Sequence, residues 1–258
     1  VTRREAWLSA GLVFVVALLV RAWAAAQVPF PIPEDATYYW GAARNLVDGN
    51  GLTSNALWSY VTPARDSVTG SFGLFFPRPA FEIWLPLPTL LAAVPMLLLG
   101  STSYAATLAV PVLLGAVVPV LAWRIGADLA IERGLPPERA RTLALGSGLV
   151  SAVALPLVLP SALLDSTIPF GVAALAACLL GTRLLREPRG ARIGDPRLIG
   201  LGLALGLAAL TRNEAIWIAL AWAALAWWQG PDGRTVRESG AVRAQRESGA
   251  VRARLVLM

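Results

Sequence analysis

The chain has no histidine, no lysine and a single cysteine, Cys178, and only 15% of its 258 residues are charged. Each absence excludes something. Without histidine and with one thiol, a zinc site of the usual nitrogen and sulfur ligands is ruled out, and so is an internal disulfide. Imidazole acid–base chemistry is ruled out too, which leaves the carboxylates to do it. Soluble domains are about 25% charged, so the low charge together with a mean hydropathy of +0.61 points away from that class. All 22 basic residues are arginine and the net charge is +6. Most of them lie outside the apolar runs, in the segments that connect or follow them, which is how membrane orientation is encoded; nucleic acid is not an expected partner.

The apolar segments are 6–26, 83–99, 104–123, 142–161, 167–182 and 198–229. Runs of this length separated by charged loops predict an all-α, polytopic helical membrane protein. Arg3-Arg4, an apolar core and Ala22 to Ala26 resemble the regions of a signal peptide. The core is long, however, and carries Trp7 and Trp23 near its ends as interfacial anchors, so a retained span is expected.

The N-terminus and the segments 124–141, 183–197 and 231–258 are rich in arginine, which places them on the cytoplasmic face by the positive-inside rule. Segment 27–82 has Arg44, Arg65 and Arg78 against Glu34, Asp35, Asp48, Asp66 and Glu82, and it belongs outside. Pro86, Pro88 and Pro95 interrupt 83–99. Proline removes a helix hydrogen bond, so this run reads as a helix in the outer interface and 104–123 as the crossing. Segment 198–229, broken at Thr211-Arg212-Asn213-Glu214, reads as a hairpin of two short helices. The expected total is about six crossings in a domain over 1–230, with an outer loop over 27–103. The tail repeats Arg237-Glu-Ser-Gly-Ala-Val-Arg-Ala244 as residues 246–253; its composition predicts disorder.

This topology brings Asp35 and Asp165 to the outer face. Asp35 follows Pro33 and precedes helically spaced Tyr39, Ala42, Ala43 and Leu46, so helix capping and acid–base work are both open to it. Asp165 also suits a turn between spans. Arg212, flanked by apolar runs, is either functional or paired with Glu214. Arg78, in Phe76-Pro77-Arg78-Pro79, suits a phosphate or a lipid headgroup, since guanidinium presents a planar fork of donors to phosphate. Acids outside the membrane with arginines at membrane depth suit a lipid substrate with an anionic head, and a divalent cation on Asp35 and Asp165 would bridge to its phosphate.

Glu34-Asp35-Ala-Thr-Tyr38-Tyr39, Gly49-Asn-Gly51, Arg78-Pro79, Asp165 and Gly202 to Arg212, taken in that order, resemble the GT-C superfamily of membrane glycosyltransferases. The closest likeness is to its protein O-mannosyltransferase and aminoarabinose-transferase-like branches. The resemblance implies a sugar transferase in the plasma membrane that takes its donor from polyprenyl phosphate and works on the outer face by single displacement with inversion. It implies Asp35 as general base, with Glu34 as rival and Asp165 as the second acid, and Arg78, Arg212 and Tyr39 as binding residues for the donor and its phosphate. It also implies a longer protein with further spans. Two other readings stay open, a transporter or flippase for an anionic lipid and a non-catalytic membrane assembly factor.

Overall fold

In the computed structural model the described residues are 3–32, 34–55, 77–82, 84–185 and 195–228. The repeated tail, Arg65, Asp66 and most of 183–197 therefore lie outside them.

The first apolar run forms α1 (Arg3–Ala26), 24 residues long. At ~1.5 Å per residue it reaches ~36 Å, enough for ~30 Å of hydrocarbon. After the turn at Phe30-Pro31 comes α2 (Glu34–Val47). It stops where Gly49 takes φ 83°, a left-handed conformation that costs other residues a steric clash. Within the expected outer loop a short ladder forms, β1 (Thr53–Ser54) pairing antiparallel with β2 (Arg78–Pro79). Helix α3 (Leu87–Leu99) follows, opening on Pro86 and Pro88 where missing N–H groups cost nothing. Its Ala92, Ala93 and Met96 are buried against α2, whereas Leu90, Val94, Leu97 and Leu98 are exposed. Thirteen residues reach only ~20 Å, too short to cross.

A short turn, α4 (Tyr104–Thr107), leads into α5 (Ala109–Glu132). The expected crossing 104–123 thus runs on past Arg124. Asp128 is the reason, since it pairs with Arg124 one turn earlier at 3.0 Å and with Arg183 at 2.8 Å. Helix α6 (Pro137–Val153) then returns. Here the structure corrects the sequence reading: 142–161 is not one straight span. It breaks after Val153 and continues as α7 (Leu155–Val158) and a 3-10 turn, Leu159–Ala162, bent by 67°. Pro156 has no N–H for the Ala152 carbonyl and its ring clashes with it, so a straight helix cannot continue.

Helix α8 (Thr167–Leu185) is again membrane-length, and α9 (Pro196–Ala209) and α10 (Ala215–Trp228) form the broken pair expected over 198–229. At 14 residues each, these two are short of the ~30 Å a crossing needs. The described residues therefore hold three helices long and apolar enough to span a membrane, α1, the α4–α5 rod and α8, or four if bent α6–α7 counts as one. The six-crossing count expected from the sequence is not reached on length.

Helix α5 is the centre of the bundle, packed against α1, α6 and α8. Close approach rests on small residues, as is usual where the solvent is lipid. A Cβ on Gly148 would come 2.9 Å from Val13 Cγ2 on α1 and from Trp123 Cβ on α5.

Candidate functional site

The first turn of α2, the start of α8 and the α9–α10 loop enclose a cleft of ≈ 320 Å³, lined by Asp35, Tyr39, Trp84, Leu85, Ser166 and residues 211–214. That is the small end of the ~300–1,000 Å³ usual for ligand sites. Three fastenings set its walls. The Leu87 N–H donates to the Leu210 carbonyl at 3.0 Å, tying the approach to α3 to the α9–α10 loop. The Leu164 N–H donates to the buried Tyr104 hydroxyl at 3.4 Å, holding the residue before Asp165. The Phe81 N–H donates to Tyr38 Oη at 2.7 Å.

Tyr39 is almost wholly buried and within electrostatic reach of both acids. Burial pushes its phenol well above the ordinary value, and the negative charges of Asp35 and Asp165 push the same way against a hydrogen bond with Ser166. The phenol stays protonated at neutral pH and serves as a donor. The two acids, far apart in the chain, thus act on one tyrosine.

They are not equivalent. Asp165 caps α8: its Oδ1 accepts from the Thr167 N–H at 3.1 Å and from Ser166 Oγ at 3.2 Å, and its Oδ2 accepts from Thr167 Oγ1 at 2.8 Å. Both oxygens are engaged in local fastening, the turn role open to it from sequence. Asp35 lies in the second position of α2 and lines the cleft. Glu34 opens the same helix, and its side chain lies outside the described residues.

Arg212 is the cation of the cleft. Its Nη2 donates to Glu214 Oε1 at 2.7 Å and its Nη1 to Ser166 Oγ at 3.5 Å, and its guanidinium lies 6.0 Å from the Phe170 ring centre. The hydrogen bond to Glu214 raises its pKa further, so it is permanently charged. Arg212 thus has both the ion pair and the place in a cleft that the sequence offered as alternatives. Arg78 differs. It pairs with Glu82 at 2.8 Å on the short ladder and does not line the cleft.

The pairing of Asp35 with Asp165 does not fit a shared divalent cation. Such ions take six or more oxygens, and the Asp165 oxygens are committed to Ser166 and Thr167. Among the described residues no group of three or more acidic or thiol side chains is placed to hold a metal.

Sequence reasoning passed over Arg21. It lies inside the first span, fully buried, and its guanidinium donates to Ser161 Oγ at 3.1 Å and to the Ala152 carbonyl at 2.9 Å. The signal was present, because a charge inside an apolar run is expensive and calls for partners.

Fold and cleft together define a helical protein with membrane-length apolar helices and a small polar cleft holding a carboxylate and a guanidinium. Comparison with protein-family models, with curated proteins and with solved structures returned no match.

Proposed function

We propose that the chain transfers a sugar from a polyprenyl-phosphate donor to an acceptor hydroxyl, within the plasma membrane and on its outer face. The observation that carries this reading is the presence of Asp35 and Arg212 on the walls of one cleft. A carboxylate there accepts a proton, and a guanidinium there takes up negative charge.

In the proposed step Asp35 removes the proton of the acceptor hydroxyl as its oxygen attacks the anomeric carbon. The bond from that carbon to the phosphate oxygen breaks, and the phosphate leaves with the electron pair. Arg212 stabilises the charge that develops on it, a role expected from sequence for Arg78 and Arg212 together. The products are a glycoside of inverted configuration and polyprenyl phosphate. Tyr39 donates to an oxygen of the sugar or its phosphate, and Trp84 gives the ring an apolar wall. The exposed leucine face of α3 offers the polyprenyl chain a route along the lipid. No step is drawn through a metal.

The arginine-rich segments support a cytoplasmic N-terminus and an outward cleft. The Arg183–Asp128 contact supports the same sidedness, for it lies ~24 Å along α8 from Thr167.

The bent α6–α7 favours the transporter as second reading, since broken helices line substrate sites in that class. One assay separates the two: transfer of radiolabelled sugar from a polyprenyl-phosphate donor in membranes carrying wild type, Asp35→Asn or Glu34→Gln. Loss with Asp35→Asn and retention with Glu34→Gln is expected. Full activity in both would sink Asp35 as the base, and donor movement without transfer would favour the transporter.

A further inference from the structure

A fully buried guanidinium in a membrane-length helix normally finds a carboxylate, because a charge in hydrocarbon is costly unless paired. Arg21 has no carboxylate partner among the described residues. It donates instead to the Ala17 carbonyl of its own helix at 3.3 Å, and to the chain on both sides of the α6–α7 break. On the near side it reaches the Ala152 carbonyl at 2.9 Å and the Ser151 carbonyl at 3.5 Å. On the far side it reaches the Leu157 carbonyl at 3.4 Å and Ser161 Oγ at 3.1 Å.

These acceptors are explained by the break. In a continuous helix the Ala152 carbonyl would accept from residue 156, but residue 156 is proline and has no N–H. An unpaired buried carbonyl is costly, and the nearest donor is the Arg21 fork. The Leu157 carbonyl also takes a bond from Ser161 Oγ at 2.7 Å, so serine and arginine brace the far side together. Room for this comes from Gly115, where a Cβ would collide with Ser161 Oγ and touch Arg21 Cδ at 3.0 Å.

Shortly after Ser161 the chain reaches Asp165 and then Ser166, which lines the cleft together with Asp35 and Tyr39. We infer that Arg21 is a positioning residue: by supplying the donor that Pro156 lacks, it fixes the bend that sets Asp165 and Ser166 against α2. Its relevance to catalysis rests on the reading of the cleft given above; its effect on geometry does not.

The test uses the full chain with Cys178→Ser, so that introduced cysteines are the only thiols. Cysteines from Asp35→Cys and Ser166→Cys, on the walls of the cleft, are joined by a short bis-maleimide in native membranes, and thermal unfolding is followed in detergent. Arg21→Met is expected to lower Tm and to slow cross-linking by roughly tenfold or more, as proximity is lost. Adding Pro156→Ala returns an N–H to the Ala152 carbonyl. It is expected to restore Tm but not cross-linking, because a straightened helix no longer presents Ser166.

An arginine that merely supports folding would let both readouts recover together, and that result overturns the inference. So does failure of Pro156→Ala to raise Tm. Should Arg21→Met not accumulate in the membrane, Arg21→Lys keeps the charge, but its single ammonium cannot reach both sides of the break. Slow cross-linking in that folded variant supports the inference and wild-type cross-linking overturns it. Cross-linking needs no sugar transfer, so full transfer activity in Asp35→Asn would remove the catalytic reading and leave this result standing.

Discussion

Arg212 donates to the Glu214 carboxylate at 2.7 Å inside the same cleft that Asp35 lines. The seat proposed for a substrate phosphate is thus taken by an internal anion. Both side chains are partly exposed, at 36% and 53%, and such pairs are worth only about 0.2–1 kcal/mol, so an incoming phosphate can displace the carboxylate. Glu214→Gln is expected to tighten binding of a short isoprenyl monophosphate by roughly two- to fivefold, measured by titration calorimetry in detergent. Unchanged or weaker binding would count against Arg212 as the phosphate contact.

The far end of the bundle gives an independent stability prediction. Arg183 donates through Nε and Nη2 to one oxygen of Asp128, at 3.0 and 2.8 Å, joining α8 to α5. Asp128→Asn removes the charge and leaves two arginines facing a neutral amide. A loss of about 1 kcal/mol is expected, read as a lower midpoint in a denaturant titration with no change at the cleft. A midpoint equal to wild type would show that the contact contributes nothing.

Gly146 and Gly148, neighbours on α6, are expected to behave oppositely. Gly148→Ala forces a Cβ against Val13 and Trp123 and is expected to cost about 1–3 kcal/mol. Gly146 has nothing within 4 Å of such an atom, so Gly146→Ala should be neutral or stabilise by roughly 0.5–1 kcal/mol. Thermal melts of the pair decide it, and equal effects would mean that α1 and α5 do not pack there.

At alkaline pH the buried Tyr39 phenol sets a sign. Burial raises its folded value above the unfolded one. Its contribution is therefore fully present below about pH 10, the unfolded value, and is lost as pH rises through the higher folded value. Tyr39→Phe should flatten the fall of Tm above about pH 10. An identical slope in both proteins would exclude Tyr39 as its source.

Much of the helix plan was legible in the sequence because apolar length and charge breaks report directly on membrane-length helices. The run 6–26 became α1, and the Thr211–Glu214 interruption separates α9 from α10. What pattern could not supply was pairing between distant residues. The arginine pattern led to the expectation that Asp35 and Asp165 share a face, but not that both charges act on the Tyr39 phenol, nor that Asp165 engages both oxygens with Ser166 and Thr167. Arg78, which the sequence offered to a phosphate or a lipid headgroup, pairs instead with Glu82 four residues on. The α6–α7 bend was missed for a local reason, in that Pro156 breaks the helix inside the continuous apolar run 142–161. Arg21 was missed because one charge barely lowers the mean hydropathy of a long run.

The arginine in the first span also sets an order of events. Its strongest acceptor, the Ala152 carbonyl, lies 131 residues further along the chain. During synthesis α1 is complete long before that acceptor exists, so in a membrane it would carry its charge without a partner, which is costly in hydrocarbon. Until α6 and its bent continuation arrive, the charge would be met by water or headgroups, most readily with α1 lying shallow at the end that carries Arg21. Helix α1, made well before α6, is therefore later than its place in the chain suggests in reaching its final position, and its settling is coupled to the arrival of the segment that carries Ser166.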